Sequence, residues 1–137
     1  MSSLKHPRRV LAEAELISSH FGEIEFEDNW ILVEQFNLPP TFNQITSRLL
    51  IILSDNYPES PPKDLYLEKR LKKNGKTPEH YFENKYGDSD IRNSGYAWYS
   101  IHFTAWRSSS ISIIQGDNLI TAIIALYDAL KYDEKER

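Results

Sequence analysis

Five consecutive apolar residues, Leu49 to Leu53, run directly into the sequence Ser-Asp-Asn-Tyr-Pro-Glu-Ser-Pro-Pro over 54–62, and this junction constrains the fold more than any other stretch. The run is too short for a typical helix and holds no glycine or proline, so it reads as a strand buried on both faces at the centre of a sheet. Ser54, Asp55 and Asn56 favour turns, while Pro58, Pro61 and Pro62 lack the amide donors a ladder requires, so the strand stops there. Tyr57 precedes Pro58, which disfavours the helical region, and its ring and hydroxyl are therefore held beside a rigid bend. Asp64 to Glu68 reads as the next strand.

Upstream, Pro7 suits a first helical turn. Val10, Ala14, Ile17 and Phe21 recur at the spacing of one helical face, with Arg8, Arg9, Glu13 and Glu15 placed largely off it, and the helix ends near Gly22. The period then changes to two. Ile24 and Phe26 alternate with Glu23, Glu25 and Glu27, Asp28-Asn29 suits a tight hairpin, and Trp30 to Phe36 is the return strand. Pro39 and Pro40 break it, and 41–46 is loop. Residues 69–95 read as a long irregular segment, a length that inside a compact domain is usually functional or mobile. Charge is unevenly spread here: 63–76 holds six Lys or Arg against Asp64 and Glu68, and acidic residues dominate the stretch after it. From Tyr96 to Phe103 the pattern is aromatic and extended, and 107–116 reads as an inserted loop containing four serines. Asp117 offers an N-cap to a last helix whose apolar face comprises Leu119, Ile120, Ile123, Ile124, Tyr127 and Leu130.

At 137 residues the chain is read as one α+β domain over 1–137, large enough to bury roughly two thirds of its unfolded surface. No cysteine is present, which removes disulfides, thiolate metal sites and thiol nucleophiles together. A net charge of -4 argues against nucleic acid as a partner, and no apolar run reaches the roughly 18 residues of a membrane span. The N-terminus has no signal-peptide core, so a cytoplasmic location is expected. His6, His20 and His80 are scattered without metal-ligand spacing, and no glycine-rich phosphate loop occurs, so neither metal nor cofactor is expected.

The order of helix, four-stranded antiparallel meander, Tyr57-Pro58-x-x-Pro61-Pro62, long irregular segment, tryptophan and C-terminal helix resembles the UBC fold of ubiquitin-conjugating enzymes. Trp98-x-Ser100-x-His102, then Trp106, then Asp117-x-Leu119, is similar more narrowly to the prokaryotic family E conjugating-enzyme-like proteins. That resemblance implies three protein partners: a ubiquitin-like protein, an adenylating activating enzyme and target proteins. The chain departs from the pattern in lacking the cysteine and the His-Pro-Asn triplet, and in placing ten residues between Trp106 and Asp117.

Chemistry at such a site needs a nucleophile, and a serine hydroxyl needs a base within hydrogen-bond reach. If the segment is extended, Ser100 and His102 project on the same face, so His102 is the candidate base for an oxyester on Ser100. Asn93 is the candidate amide donor to the oxyanion, the part the resemblance assigns to the triplet asparagine. Two readings stay open. One is a conjugating enzyme that carries a modifier on Ser100; the other is a catalytically silent UBC-like module that binds the ubiquitin-like protein or the activating enzyme. Both make the first helix and the loops near Phe42 and Pro61 the docking surface, by the resemblance alone.

Overall fold

A computed structural model describes residues 6–27, 29–83 and 95–132. Two helices, α1 (Pro7–Phe21) and α2 (Leu119–Tyr132), flank six strands in sequence: β1 (Ile24–Glu27), β2 (Trp30–Asn37), β3 (Thr46–Ile52), β4 (Asp64–Glu68), β5 (Tyr81–Phe82) and β6 (Tyr96–Tyr99). They form one antiparallel sheet in the order β1-β2-β3-β4-β6-β5. The first four strands are the expected meander, with β3 near its centre and Glu27 paired with Trp30 at the β1–β2 connection; Asp28 lies outside the described residues.

Alternation along the strands builds two buried layers. One row crosses the sheet as Ile31, Ile51, Leu65, Tyr99 and Tyr81, a second as Val33, Leu49, Leu67 and Ala97, and both pack with α1 and α2 into the main core. On the opposite face Leu32, Leu50, Tyr66 and Trp98 align, with Phe82 stacked 5.8 Å from Trp98. Tyr66 is fully buried and Leu50 and Ile52 nearly so, which is why the apolar run 49–53 shows no alternation.

Four local expectations are corrected. Glu13 is not off the buried face of α1: only 1 % exposed, it lies among Val10, Ala14 and Ile17. Strand β6 ends at Tyr99, short of Phe103, and beyond it His102 forms an isolated bridge. The segment 69–95 is not wholly irregular, because Tyr81–Phe82 adds a strand to the sheet edge beyond β6. Ile124 leaves the buried face of α2 and is 53 % exposed, while Ala122, Leu126 and Ala129 join Leu119, Ile123 and Leu130 beneath it. Hydropathy alone gives the alanines little weight, although both are buried. α1 ends at Gly22, whose φ of 83° is left-handed and whose N–H donates to the carbonyl of Ser18.

Candidate active site

Ser100 and His102 lie at the end of the sheet where β3 runs into the proline turn. Antiparallel pairing sets Tyr99 opposite Leu65, so the chain leaves β6 beside the start of β4 and the Pro61-Pro62 bend. Ser100 is the first residue after the strand; its N–H donates to the carbonyl of His80 at 2.8 Å, which fixes the backbone there. Ser100 and His102 both line a cavity of about 110 Å³ whose wall also includes Pro62, Lys63, Asp64, Trp98 and Phe103. Ser100 is half-buried and His102 exposed. The two side chains border the same space without a direct hydrogen bond between them. Asn93 lies outside the described residues.

A chain of contacts ties this cavity to the core. Phe103 meets Trp106 edge-on at 5.7 Å, Trp106 packs on Tyr57 at 6.1 Å, and the indole Nε1 donates to the carbonyl of Pro58 at 2.8 Å. Trp106 is therefore a packing residue that anchors the wall of the site. The Tyr57–Pro58 peptide is cis, and the Tyr57 ring is fully buried. Its hydroxyl donates to Glu13 Oε1 at 2.7 Å. The same oxygen accepts the N–H of Leu119 at 2.6 Å, at the start of α2, and Glu13 Oε2 accepts Arg9 Nε at 2.7 Å. A carboxylate at a helix N-terminus meets unsatisfied amides and the positive end of the dipole, so this placement is favourable for a buried charge. Burial, then the charge of Glu13 and its hydrogen bond, push the Tyr57 hydroxyl well above the usual tyrosine range.

Arg9 completes the network. Its Nη1 donates to the carbonyl of Ser109 at 2.6 Å and Nη2 to that of Asp117 at 3.2 Å, so α1 holds both limbs of the 107–117 loop. Arg107 and Asp117 close the base reciprocally: each N–H donates to the other residue, to Asp117 Oδ2 and to the Arg107 carbonyl, at 2.7 Å each. Asp117 is not the N-cap of α2. Asn118 is: its Oδ1 accepts the N–H of Thr121 at 3.0 Å while Thr121 Oγ1 accepts the Asn118 N–H at 2.9 Å, a reciprocal capping arrangement. Asp117 instead borders a second cavity, of about 190 Å³, with Phe103, Ala105, Trp106, Thr121 and Ala125. Phe103 is the wall shared by the two cavities.

Local sequence patterns do not identify every residue at the site. Lys63 and Asp64 enter it because the proline bend turns back onto the start of β4, and His80 reaches Ser100 through its backbone, 20 positions away in sequence. The only sequence signal for Lys63 and Asp64 is their position directly after Pro62.

The order of helices and strands around this site agrees with a family comparison. The family model described as Prokaryotic E2 family E matches residues 5–133. The chain belongs to that family. Neither a curated protein nor a solved structure matches it. As a member of Prokaryotic E2 family E, the chain has a ubiquitin-conjugating-like role in general terms, and protein partners belong to that role. The expected UBC-like order of N-terminal helix, antiparallel sheet and C-terminal helix is present. Among the described residues no helix is long and apolar enough to cross a membrane.

Proposed function

We propose that the chain accepts the activated C-terminus of a ubiquitin-like protein on Ser100, as an oxyester, and passes it to an amine of a target protein. The observation that carries this reading is the cavity shared by Ser100 and His102, in a member of Prokaryotic E2 family E that has no cysteine. Ser100 Oγ attacks the C-terminal carbonyl carbon, His102 takes the hydroxyl proton directly or through one water, and the bond to the activating group breaks. In the second half the target amine attacks the ester carbonyl, the bond to Oγ breaks, and His102 returns a proton to Oγ as the amide forms. Lys63, on the cavity wall, adds positive charge for the oxyanion, the part expected of Asn93. The adjoining cavity, with the Asp117 carboxylate beside Trp106, is a suitable path for a cationic acceptor.

The silent-module reading is favoured by a different observation, the lack of a hydrogen bond between Ser100 and His102. One experiment separates the two: intact mass after incubation with a cognate activating enzyme, its ubiquitin-like protein and ATP. The conjugating reading expects an adduct that survives thiol reductant, is cleaved by hydroxylamine, and disappears in Ser100→Ala while folding is retained. No adduct on the wild-type chain while the activating enzyme is charged leaves the silent module as the function.

A further inference from the structure

At the opposite end of the sheet from Ser100, the segment 69–76 reads Lys-Arg-Leu-Lys-Lys-Asn-Gly-Lys: five cations and no acid, in a chain whose net charge is -4. Its backbone is pinned from several sides. Leu71 is fully buried. Asn43 receives the Lys72 N–H at Oδ1, 2.8 Å, and donates Nδ2 to the Arg70 carbonyl, 3.1 Å. Lys73 and Lys76 exchange backbone bonds of 2.8 and 3.0 Å across the turn, and the Asn74 N–H reaches the Thr41 carbonyl at 2.9 Å. Lys73 is committed to the fold, because its Nζ caps the last carbonyls of α2 at Leu130 and Lys131, 2.8 and 2.9 Å away.

Backbone strain is also concentrated here. The non-glycine residues with positive φ among the described residues are Arg70 (68°), Asn74 (52°) and His80 (61°). Asparagine takes this conformation readily; arginine has no such preference. Arg70 is held in it by Asn43 at its carbonyl and by Glu83 Oε2, which accepts its N–H at 2.6 Å. A strained conformation is thus kept at a residue that is exposed. Lys69, Arg70, Lys72 and Lys76 form no ion pair with a carboxylate among the described residues. Glu79 and Glu83 border the turn, with Glu83 occupied by the Arg70 amide, and Lys72 Nζ donates to the Thr77 hydroxyl.

We propose that this turn is a docking surface for an acidic segment of a partner protein. Four cations on a fixed frame bind a run of carboxylates at the cost of side-chain entropy alone, because the backbone is already ordered. An acidic protein segment fits better than nucleic acid. The turn itself has no aromatic residue for base stacking, and the molecule as a whole repels a long polyanion. Because the turn follows the end of β4 while the Ser100 cavity adjoins its start, a partner held here leaves the cavity open.

Fluorescence anisotropy of a short labelled polyglutamate peptide tests this without any transfer reaction. Saturable binding is expected at low ionic strength, weakening as salt rises to physiological levels. Lys69→Glu, Lys72→Glu and Lys76→Glu together should reduce affinity by on the order of tenfold or more. The milder pair Lys72→Gln and Lys76→Gln decides the matter if the reversed variant fails to fold. Arg8→Glu, the loss of a cation on α1 at the other end of the molecule, should leave affinity within about twofold. Absence of binding at low salt, equal weakening by Arg8→Glu, or tighter binding of an oligothymidine than of the peptide would each overturn the proposal.

Discussion

Glu13 gathers three buried or half-buried donors, the Tyr57 hydroxyl, the Leu119 amide and the Arg9 guanidinium, onto one carboxylate. Replacing it by alanine leaves the Tyr57 hydroxyl and the Leu119 amide without this acceptor and removes the carboxylate that pairs with the half-buried Arg9, which keeps only its bonds to the Ser109 and Asp117 carbonyls. Glu13→Ala is therefore expected to cost about 3–5 kcal/mol in urea unfolding. Tyr57→Phe removes one hydrogen bond to the carboxylate and should cost less, about 1.5–3 kcal/mol. The spacing of Arg9 and Glu13 one helical turn apart is visible in the sequence, but an exposed pair of this kind looks the same. What buries it is Tyr57, 44 positions away, and no local pattern carries that pairing. The buried tyrosines also make an alkaline prediction. Burial pushes Tyr81 up to about 12, with Glu83 adding to the shift, and pushes Tyr57 up further still. A pKa raised by folding means stability that is complete below the unfolded value near 10 and is lost as pH rises through the folded value. Unfolding free energy should therefore fall from about pH 10 to pH 12, tracked with tyrosinate absorbance, and Tyr81→Phe should make that fall shallower.

Helix α1 and strands β1 to β4 were legible because each repeats its own period over several residues: 3.6 in Val10, Ala14 and Ile17, two in Ile24 and Phe26, and an unbroken apolar run at Leu49 to Leu53. Strand β5 was not, since two residues are too few to show a period and its pairing to β6 is tertiary. The start of α2 was misplaced by one residue because Asp117 and Asn118 are equally good caps in sequence, and the loop decides between them by engaging Asp117 with Arg107. At this scale Gly116 is the sensitive position. A Cβ there would stand 2.7 Å from the Arg107 carbonyl oxygen and 2.7 Å from the Ser109 nitrogen, both backbone atoms that cannot rotate aside. Gly116→Ala should destabilise the protein by about 1–3 kcal/mol and raise amide exchange across 107–117, while the sheet amides keep their protection.

Across the whole molecule, both helices belong to the core on one face of the sheet, a mixed aliphatic and aromatic cluster lies on the other, and the Ser100 cavity and the basic turn stand at the two ends. The sequence carried the element order, and with it the family, because the meander, the proline bend and the final helix are contiguous features. It carried Ser100 and His102 as candidates through their spacing and through the resemblance of Trp98-x-Ser100-x-His102 to the family pattern. That they share a cavity depends on Pro62, Lys63, Asp64 and Phe103 closing around them, since strand β6 itself ends at Tyr99. The reductant sensitivity of the modifier adduct formed by Ser100→Cys decides whether Ser100 is the acceptor. If Ser100 is the acceptor, the variant carries the same modifier through a thioester, and the adduct that resisted thiol reductant in the wild type becomes labile to it. An adduct on Ser100→Cys that still resists reductant would place the bond at another residue and rule out Ser100 as the acceptor.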